Sequence, residues 1–258
     1  MRRYQADTPV DEENPYWMSF SDIMSALVVI FILAAVILMV QLMETEEDLQ
    51  DKVQELDSKV QLLDEEIEIL QQAEYVRKII IDEAAEELKM RGIPIVVSEN
   101  ATVLRIPNYL LGFDTADYEI QPAYQDTAYQ IGEVLHKVMT KGDRADYLDT
   151  VFVEGHTDNR PFTGFMGKGN WGLSTFRAIS LWQYWNSHLP EASRLDKMKN
   201  SDQTPLFSVS GYGDTRPVTA EQSTEEELSA NRRVDIRFTI RRPQSKDIRE
   251  LQAQFDYK

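Results

Sequence analysis

Apolar residues form three successive patterns along the chain, and each pattern predicts a different kind of structure. From Ile23 to Met43 there are 21 residues without a charged side chain. At a rise of about 1.5 Å per helical residue, this stretch is roughly 31 Å long, close to the hydrocarbon thickness of a bilayer. It is longer than the apolar region of a signal peptide and lacks a small-x-small cleavage site. We therefore predict an uncleaved transmembrane helix over residues 16–43, preceded by a tail over residues 1–15.

The second pattern is a heptad repeat within residues 44–91. Its apolar positions alternate in steps of four and three and are Leu49, Val53, Leu56, Val60, Leu63, Ile67 and Leu70. Valine or isoleucine at a and leucine at d favour a parallel two-stranded coiled coil. Lys52 and Lys59 at g can meet Asp57 and Asp64 at e of a partner helix. A single amphipathic helix packed on its own domain gives a similar stripe, but the g–e charges favour a stalk that makes the chain a homodimer.

The third pattern begins after Gly92-Ile93-Pro94, which is expected to end the helix, and continues to residue 242. Short strand-like runs alternate there with helical periodicity. The predicted strands are IPIVVS, ATVLRI, TVFVEGHT, LFSVSGYG and RRVDIRFTI, and the predicted helices are PAYQDTAYQIGEVLHKVM and WGLSTFRAISLWQYWNSHL. This order predicts one α/β sandwich over residues 92–242. Residues 243–258 are expected to be a C-terminal tail, either a small helix or a loose segment.

Composition and charge exclude several functional classes. The formal net charge of −17 argues against nucleic acid binding, which requires a basic surface. The chain has no cysteine and only three histidines, so neither a disulfide framework, a thiolate zinc site nor any other metal site is expected. No constellation of acid and base residues suggests an enzyme. Arg2 and Arg3 precede the apolar stretch and favour a cytoplasmic N-terminus, with the rest of the chain beyond the membrane.

A carboxylate at the start of the apolar stretch needs an explanation. Tyr16 and Trp17 are typical of a membrane interface, and Asp22 follows about 8 Å deeper if the segment is helical. A charged Asp near the bilayer centre costs about 2.5–3.5 kcal/mol, so such residues usually face a partner or a water-filled path. Alternatively, the helix begins only at Ile23 and Asp22 is an interfacial N-cap, a role that Ser19 and Ser21 can also fill.

The segment Trp17-x-x-Phe20-x-Asp22-x-Met24 resembles the start of the B subunits of MotA/MotB-type ion-driven stators. The resemblance implies that Asp22 carries the translocated ion, H+ or Na+, and that no other cofactor is needed. It also implies a multi-pass MotA-like partner, because one helix alone offers no conducting path. The cytoplasmic N-terminus would then place the C-terminal domain in the periplasm of a bacterium, with the helix in the inner membrane.

Several spaced motifs between about residues 93 and 242 resemble the OmpA-like peptidoglycan-binding domain. They are Gly155-His156-Thr157-Asp158, Asn170-x-x-Leu173-Ser174-x-x-Arg177-Ala178, Gly211-x-Gly213-x-x-x-Pro217 and Asn231-Arg232-Arg233-Val234, with an upstream GFDTADYEI segment. The resemblance implies that the ligand is the diaminopimelate-containing stem peptide of peptidoglycan. Asp158 would lie near its amine and carboxylate, and Arg177 would pair with a carboxylate. The remaining predicted peptidoglycan-binding residues are Leu173 and Ser174 at the pocket floor and Asn231 and Arg233 in support.

The predicted fold class is therefore a single-pass transmembrane helix, a parallel dimeric coiled coil and an α/β OmpA-like peptidoglycan-binding domain. Because the coiled coil begins almost directly after the apolar stretch, the layout resembles the MotB-like B subunits of Zorya anti-phage defence systems, ZorB. That resemblance implies a MotA/ZorA-like partner, pentameric in the family, and an ion-driven role in defence. A flagellar MotB-type stator subunit and a passive Pal-like cell-wall tether are the alternatives.

Overall fold

The computed structural model describes residues 15–98 and 100–242, apart from the side chains of residues 15–19, 165 and 166. The predicted tail 243–258 and nearly all of the predicted tail 1–15 lie outside the described residues. The chain divides into two compact units, Met1–Gln61 and Leu62–Lys258.

One helix, α1 (Pro15–Met90), includes both the apolar stretch and the heptad repeat. The helix contains no glycine and no proline after its first residue, so nothing in the sequence interrupts its backbone hydrogen bonds. It ends at Met90, just before the predicted stop at Gly92, which has a φ of 80°. Ile93 N–H donates to the Leu88 carbonyl at 2.9 Å and Gly92 N–H donates to that of Lys89 at 3.0 Å, the Schellman arrangement that closes many helices.

The apolar part of α1 is long and hydrophobic enough to cross a membrane. Its most apolar 18-residue window has a mean hydropathy of 3.2, and none of that window is buried by the rest of the chain. The observed helix start excludes one of the two interpretations of Asp22. Asp22 is the eighth residue of α1, so the interpretation as an N-cap at Ile23 is wrong.

A five-stranded sheet with helices on one face forms the second unit, confirming the predicted α/β architecture. The strands are β1 (Val96–Val97), β2 (Val103–Pro107), β3 (Leu148–His156), β4 (Phe207–Gly211) and β5 (Arg233–Ile240). The helices that follow α1 are α2 (Gln125–Met139), α3 (Gly164–Gly167), α4 (Gly169–His188) and α5 (Glu225–Asn231). Short 3-10 turns occupy Asn108–Leu110, Pro122–Tyr124, Arg144–Tyr147, Glu191–Ser193 and Leu195–Lys197.

The strand order is β1-β2-β5-β3-β4, in which only β3 and β4 run parallel. Alternate residues of the strands, such as Val153 and Ile236, are fully buried in the same core as Leu135 and Leu181 of the helices. Ile80 and Leu88, near the end of α1, join this core. Apolar residues that repeat every two positions in the strands and about every 3.6 positions in the helices therefore form the surfaces through which the sheet and the helices pack.

Helix α4 lies unusually close to the sheet because glycines occupy the contact. A Cβ atom on Gly155 would lie 1.8 Å from the Ser174 carbonyl oxygen, and one on Gly211 would lie 2.3 Å from Thr175 Oγ1. Any side chain at either glycine would push α4 away from the strand ends. This close approach brings α4 side chains, Leu173 and Arg177 among them, next to the loop that follows β3.

A network of ion pairs fixes the last turns of α1 to the segment around α2. Glu83 accepts hydrogen bonds from both terminal nitrogens of Arg144 at 2.8 Å and from Lys141 at 2.7 Å. The hydrogen bonds from Arg144 and then from Lys141 lower the pKa of Glu83 to about 2 from an ordinary value of 4.5. Because its folded-state pKa is depressed, Glu83 stabilises the fold above about pH 4.5, and this contribution is lost as the pH falls towards 2.

We expect Glu83→Gln to lower the free energy of unfolding by about 1 kcal/mol at pH 7, a modest value because the side chain is about one-third exposed and screened by solvent. The difference between variant and wild type should shrink as the pH falls from about 4.5 to 2. Denaturant unfolding followed by tryptophan fluorescence at several pH values measures it. Glu86→Gln, on the same helix, is the control, since the described part of the chain gives Glu86 no ion pair. An equal loss in both variants, or a loss independent of pH, would contradict the assignment.

Candidate functional site

Asp158, two residues beyond β3, is the centre of a hydrogen-bonded cluster. Its Oδ2 accepts from Arg160 Nη2 at 2.6 Å and Nε at 3.1 Å, and from Arg232 Nη1 at 2.8 Å. Its Oδ1 accepts from the backbone N–H of Arg160 at 3.1 Å. Burial by itself would raise the pKa of Asp158, but the hydrogen bonds from Arg160 and Arg232 outweigh it and hold the pKa below its ordinary value. The group is therefore a carboxylate at neutral pH.

Arg177 projects from α4 and is almost completely buried. Its Nε donates to the Asp117 carbonyl and its Nη2 to the Asp114 carbonyl, both at 2.9 Å. The guanidinium carbon lies 5.4 Å from the centre of the Phe113 ring, a cation–π contact. Burial, together with the nearby charge of Arg232, lowers the pKa of Arg177 to about 10, so it remains a cation at neutral pH.

The carbonyls that hold Arg177 belong to the GFDTADYEI segment that the family resemblance singled out. Asn108 fixes the start of this segment by exchanging two hydrogen bonds with the backbone of Phe113, each 3.0 Å long. Within the described part of the chain, Nη1 of Arg177 is buried and has no hydrogen-bond partner. One strong donor is therefore available to an incoming oxygen ligand.

A small cavity of about 50 Å³ lies between these groups, with room for only a few water molecules. Three of the predicted residues line it: Asp158, Leu173 and Arg177. The other lining residues are Thr115, Ala116, Thr157, Arg160, Pro161, Phe162, Asn170 and Arg232. One carboxylate and three guanidinium groups surround this space, which favours a ligand that presents a carboxylate.

The structure does not bring the other three predicted residues to this cavity. Ser174 Oγ accepts from the Gly213 N–H at 2.9 Å and donates to the Trp171 carbonyl. Asn231 Oδ1 accepts from the Val218 N–H at 2.7 Å. These two side chains brace the loop that follows β4.

Arg233 lies on the opposite face of the sheet, where its Nε donates to both oxygens of Asp235 at 3.1 and 3.2 Å. A direct contact between peptidoglycan and Ser174, Asn231 or Arg233 stays a prediction that this geometry does not favour.

Sequence reasoning missed Arg160 and Arg232, the two residues that hold Asp158. Arg232 also donates to Glu225 of α5 at 2.6 Å and is only 7% exposed. The motif Asn231-Arg232-Arg233 led to the prediction of Arg233 at the site, but the structure places Arg232, between α5 and β5, next to Asp158. Arg233 is the first residue of β5 and pairs with Asp235 on the opposite face of the sheet.

Asp22 and the heptad positions lie in the first unit and at the start of the second. The Asp22 side chain is exposed, and the 21 uncharged residues that follow it in the helix are exposed as well. The apolar heptad residues Val53, Leu56 and Val60 are also about half exposed. Within the chain, Lys59 pairs with Glu55, one helical turn away.

Comparison with known proteins assigns the class of the C-terminal domain. The model of the OmpA family matches residues 112–232, which include the Asp158 cluster. The chain is 30% identical over 138 residues to Bacillus subtilis "Uncharacterized protein YtxE", covering 54% of this chain and 48% of that protein. It is 36% identical over 86 residues to B. subtilis "Motility protein B", covering 33% of this chain and 28% of that protein. The chain thus spans less than half the length of either relative.

Among solved structures, a putative MotB-like protein from Desulfovibrio vulgaris is similar, with a TM-score of 0.48 and 18% identity over 67% of this chain and 99% of that one. On the strength of the family match, residues 112–232 form an OmpA-like α/β domain. The chain that contains this domain has MotB-like relatives and a long apolar helix near its N-terminus.

Proposed function

We propose that this chain is a peptidoglycan-anchored, stator-like subunit of an ion-driven motor in the bacterial inner membrane. The observation that carries the proposal is the position of Asp22, eight residues into a helix and directly before 21 uncharged residues. A carboxylate held there is costly unless other groups surround it. One helix has no lumen, so a multi-pass MotA/ZorA-like partner would complete the pathway. Asp22 would bind and release the translocated H+ or Na+ within that pathway.

The OmpA-like domain would hold the subunit to the cell wall. A stem peptide presents a free carboxylate and an ammonium group, and the cavity offers cations for the first and Asp158 for the second. The buried Nη1 of Arg177, without a partner in the described residues, supports carboxylate binding. An anchored subunit stays still, so the partner that surrounds the helices would do the moving.

A test of both parts is to purify the chain with its membrane partner, count the copies of each and reconstitute them in vesicles. A stator predicts partner-dependent ion flux as well as binding to peptidoglycan sacculi. A passive Pal-like tether predicts sacculus binding without flux.

The motor would serve anti-phage defence, as the early start of the heptad repeat after the apolar stretch suggests. Deleting the gene should then raise phage plating efficiency and leave swimming unchanged, whereas the reverse result identifies a flagellar stator.

We further propose that the heptad seam makes the chain a parallel homodimer. Its apolar residues are exposed in the single chain, and a second copy would cover them. The predicted Lys59–Asp64 pair between chains would compete with the Lys59–Glu55 pair observed within one chain.

Because the chain contains no cysteine, a single introduced cysteine can form a disulfide only with the same position in a second copy of the chain. Leu56→Cys, at position d, is expected to form a disulfide-linked dimer in membranes after mild oxidation, since two d positions face each other in a parallel coil. Ser58→Cys, on the outer face two residues away, is the matched control and should remain monomeric. Non-reducing gel electrophoresis gives the result. Equal cross-linking of both variants, or of neither, would rule out this register.

A further inference from the structure

The face of the sheet opposite the hydrophobic core carries a cluster of charged side chains. Alternation along the strands places Arg105 of β2, Asp235 of β5 and Glu154 of β3 side by side in one row of the register. His156 and Arg233 lie opposite each other in another row. Both carboxylates, the imidazole and Arg233 are almost completely buried. Such a concentration of buried charge on one sheet face requires a reason.

Cations outnumber anions on this face. Glu154 accepts from Arg237 Nε at 2.9 and 3.0 Å, and Asp235 accepts from Arg233, so each carboxylate already has its own guanidinium. Arg105 shares Asp235 at 3.4 Å. Arg216 stacks on the Tyr212 ring with its guanidinium carbon 3.7 Å from the ring centre. Across residues 15–98 and 100–242 no carboxylate lies within ion-pair distance of Arg216. Two positive charges are therefore not balanced by these two carboxylates.

Several buried polar atoms here also have no hydrogen-bond partner. They are Nε of Arg105 and both ring nitrogens of His156. His156 is 1% exposed, and its Nε2 lies 3.4 Å from Asp235 Oδ2 without the alignment of a hydrogen bond. Burial lowers the pKa of His156, so the ring is neutral at pH 7 and retains one N–H donor. A buried donor without a partner is destabilising, and a bound acceptor would offset that cost.

These groups surround a cavity of about 280 Å³ lined by four arginines, His156 and the carboxylate Asp235, with Asn100 and Thr102 from the turn between β1 and β2; the arginines are Arg105, Arg216, Arg233 and Arg237. It shares no lining residue with the Asp158 cavity. We propose that this cavity binds a small oxyanion of the phosphate class, either free phosphate or the terminal phosphate of an ester. The planar guanidinium groups of Arg105, Arg216 and Arg237 would donate to its oxygens, because their fork geometry matches two oxygens of one phosphate.

The test is a titration of the full chain, purified in detergent and in phosphate-free buffer, with inorganic phosphate and with glycerol 3-phosphate. Isothermal calorimetry and the thermal unfolding midpoint are the two readouts, with sodium chloride at matched ionic strength as the reference. We expect saturable binding and a rise in the unfolding midpoint that chloride does not give. Binding of both probes would indicate a phosphate ester, and binding of inorganic phosphate alone would indicate the free ion.

Arg216→Gln and Arg105→Gln should each weaken phosphate binding at least about ten-fold, through the loss of charge-assisted hydrogen bonds. Arg216 is exposed, so its variant is expected to fold normally even if Arg105→Gln is destabilised. Arg194→Gln is the control, because Arg194 is paired with Asp196 and does not line the cavity. Wild-type affinity in Arg216→Gln, or a heat signal that does not saturate, would overturn the proposal.

Discussion

Replacing Asp22 with asparagine is expected to abolish ion-driven activity completely while leaving the protein in the membrane. Asparagine has nearly the same size and shape as aspartate, so the helix should form and insert normally. It cannot bind a proton or balance the charge of Na+, so ion transfer by this residue is lost. The measurement is ion flux in vesicles containing the chain and the proposed multi-pass partner, together with phage plating or swimming in cells. Flux should fall to the level of vesicles that contain the partner alone.

Assembly must be measured in the same samples, because a lost complex would give the same result. Co-purification with the partner and binding to sacculi should remain at wild-type levels in Asp22→Asn. Asp48→Asn serves as the matched control, since Asp48 lies on the same helix beyond the apolar stretch. Normal flux in the Asp22→Asn variant would remove the ion role and leave a passive tether as the function.

The second large effect is expected at the proposed peptidoglycan-binding cavity, where Asp158→Asn should reduce binding of the stem peptide at least about ten-fold. The change removes the charge that would attract the ligand's ammonium group. It also leaves the nearly buried Arg232 with Glu225 as its only carboxylate partner among the described residues. We therefore expect a loss of about 1–3 kcal/mol in the free energy of unfolding as well. Sacculus pull-down and calorimetry with a diaminopimelate-containing peptide measure binding, and near-UV circular dichroism measures the folded fraction.

The variant Arg160→Ala tests whether Arg160 blocks the ligand's access to Asp158, because it leaves the charge of Asp158 unchanged. The Arg160 side chain donates to Oδ2 of Asp158, beside the cavity of about 50 Å³. If the ligand's ammonium group must displace Arg160, the alanine variant should bind the peptide about ten-fold more tightly. Weaker binding would instead show that Arg160 contacts the ligand's carboxylate. Arg194→Ala is a matched control, because Arg194 makes a similar two-pronged pair with Asp196, two residues away.

Much of this architecture could be predicted because it depends on local periodicity. Three patterns predicted it: the 21-residue uncharged stretch, the heptads and the alternating strand positions. Each is long enough that only one type of secondary structure places all of its apolar side chains on one surface. The end of α1 just before Gly92 could also be predicted, since the left-handed backbone conformation that closes a helix favours glycine. Asp158, Leu173 and Arg177 were identified from spaced motifs, and the structure brings these three together around one cavity.

The choice between neighbouring residues could not be made at the sequence level. Asp158 meets Arg232 across 74 positions of sequence, and only the tertiary structure shows that Arg232 rather than Arg233 faces it. Sequence pattern also left open whether Asp22 caps a helix or lies inside one, because Ser19, Ser21 and Asp22 all suit a cap. The observed helix begins at Pro15 and places Asp22 within it.

By itself, then, the sequence determined the order of a long apolar helix, a heptad segment and an α/β domain, and it pointed to Asp22, Asp158 and Arg177 as the residues with chemistry. Only the tertiary structure decided that Arg160 and Arg232 hold Asp158, that backbone carbonyls of the 114–117 loop hold Arg177, and that unmatched arginines gather on the other face of the sheet. The physical reason is that periodicity follows from neighbouring residues of one segment. Hydrogen bonds and charge balance depend on which distant segments the core brings within about 3 Å of each other.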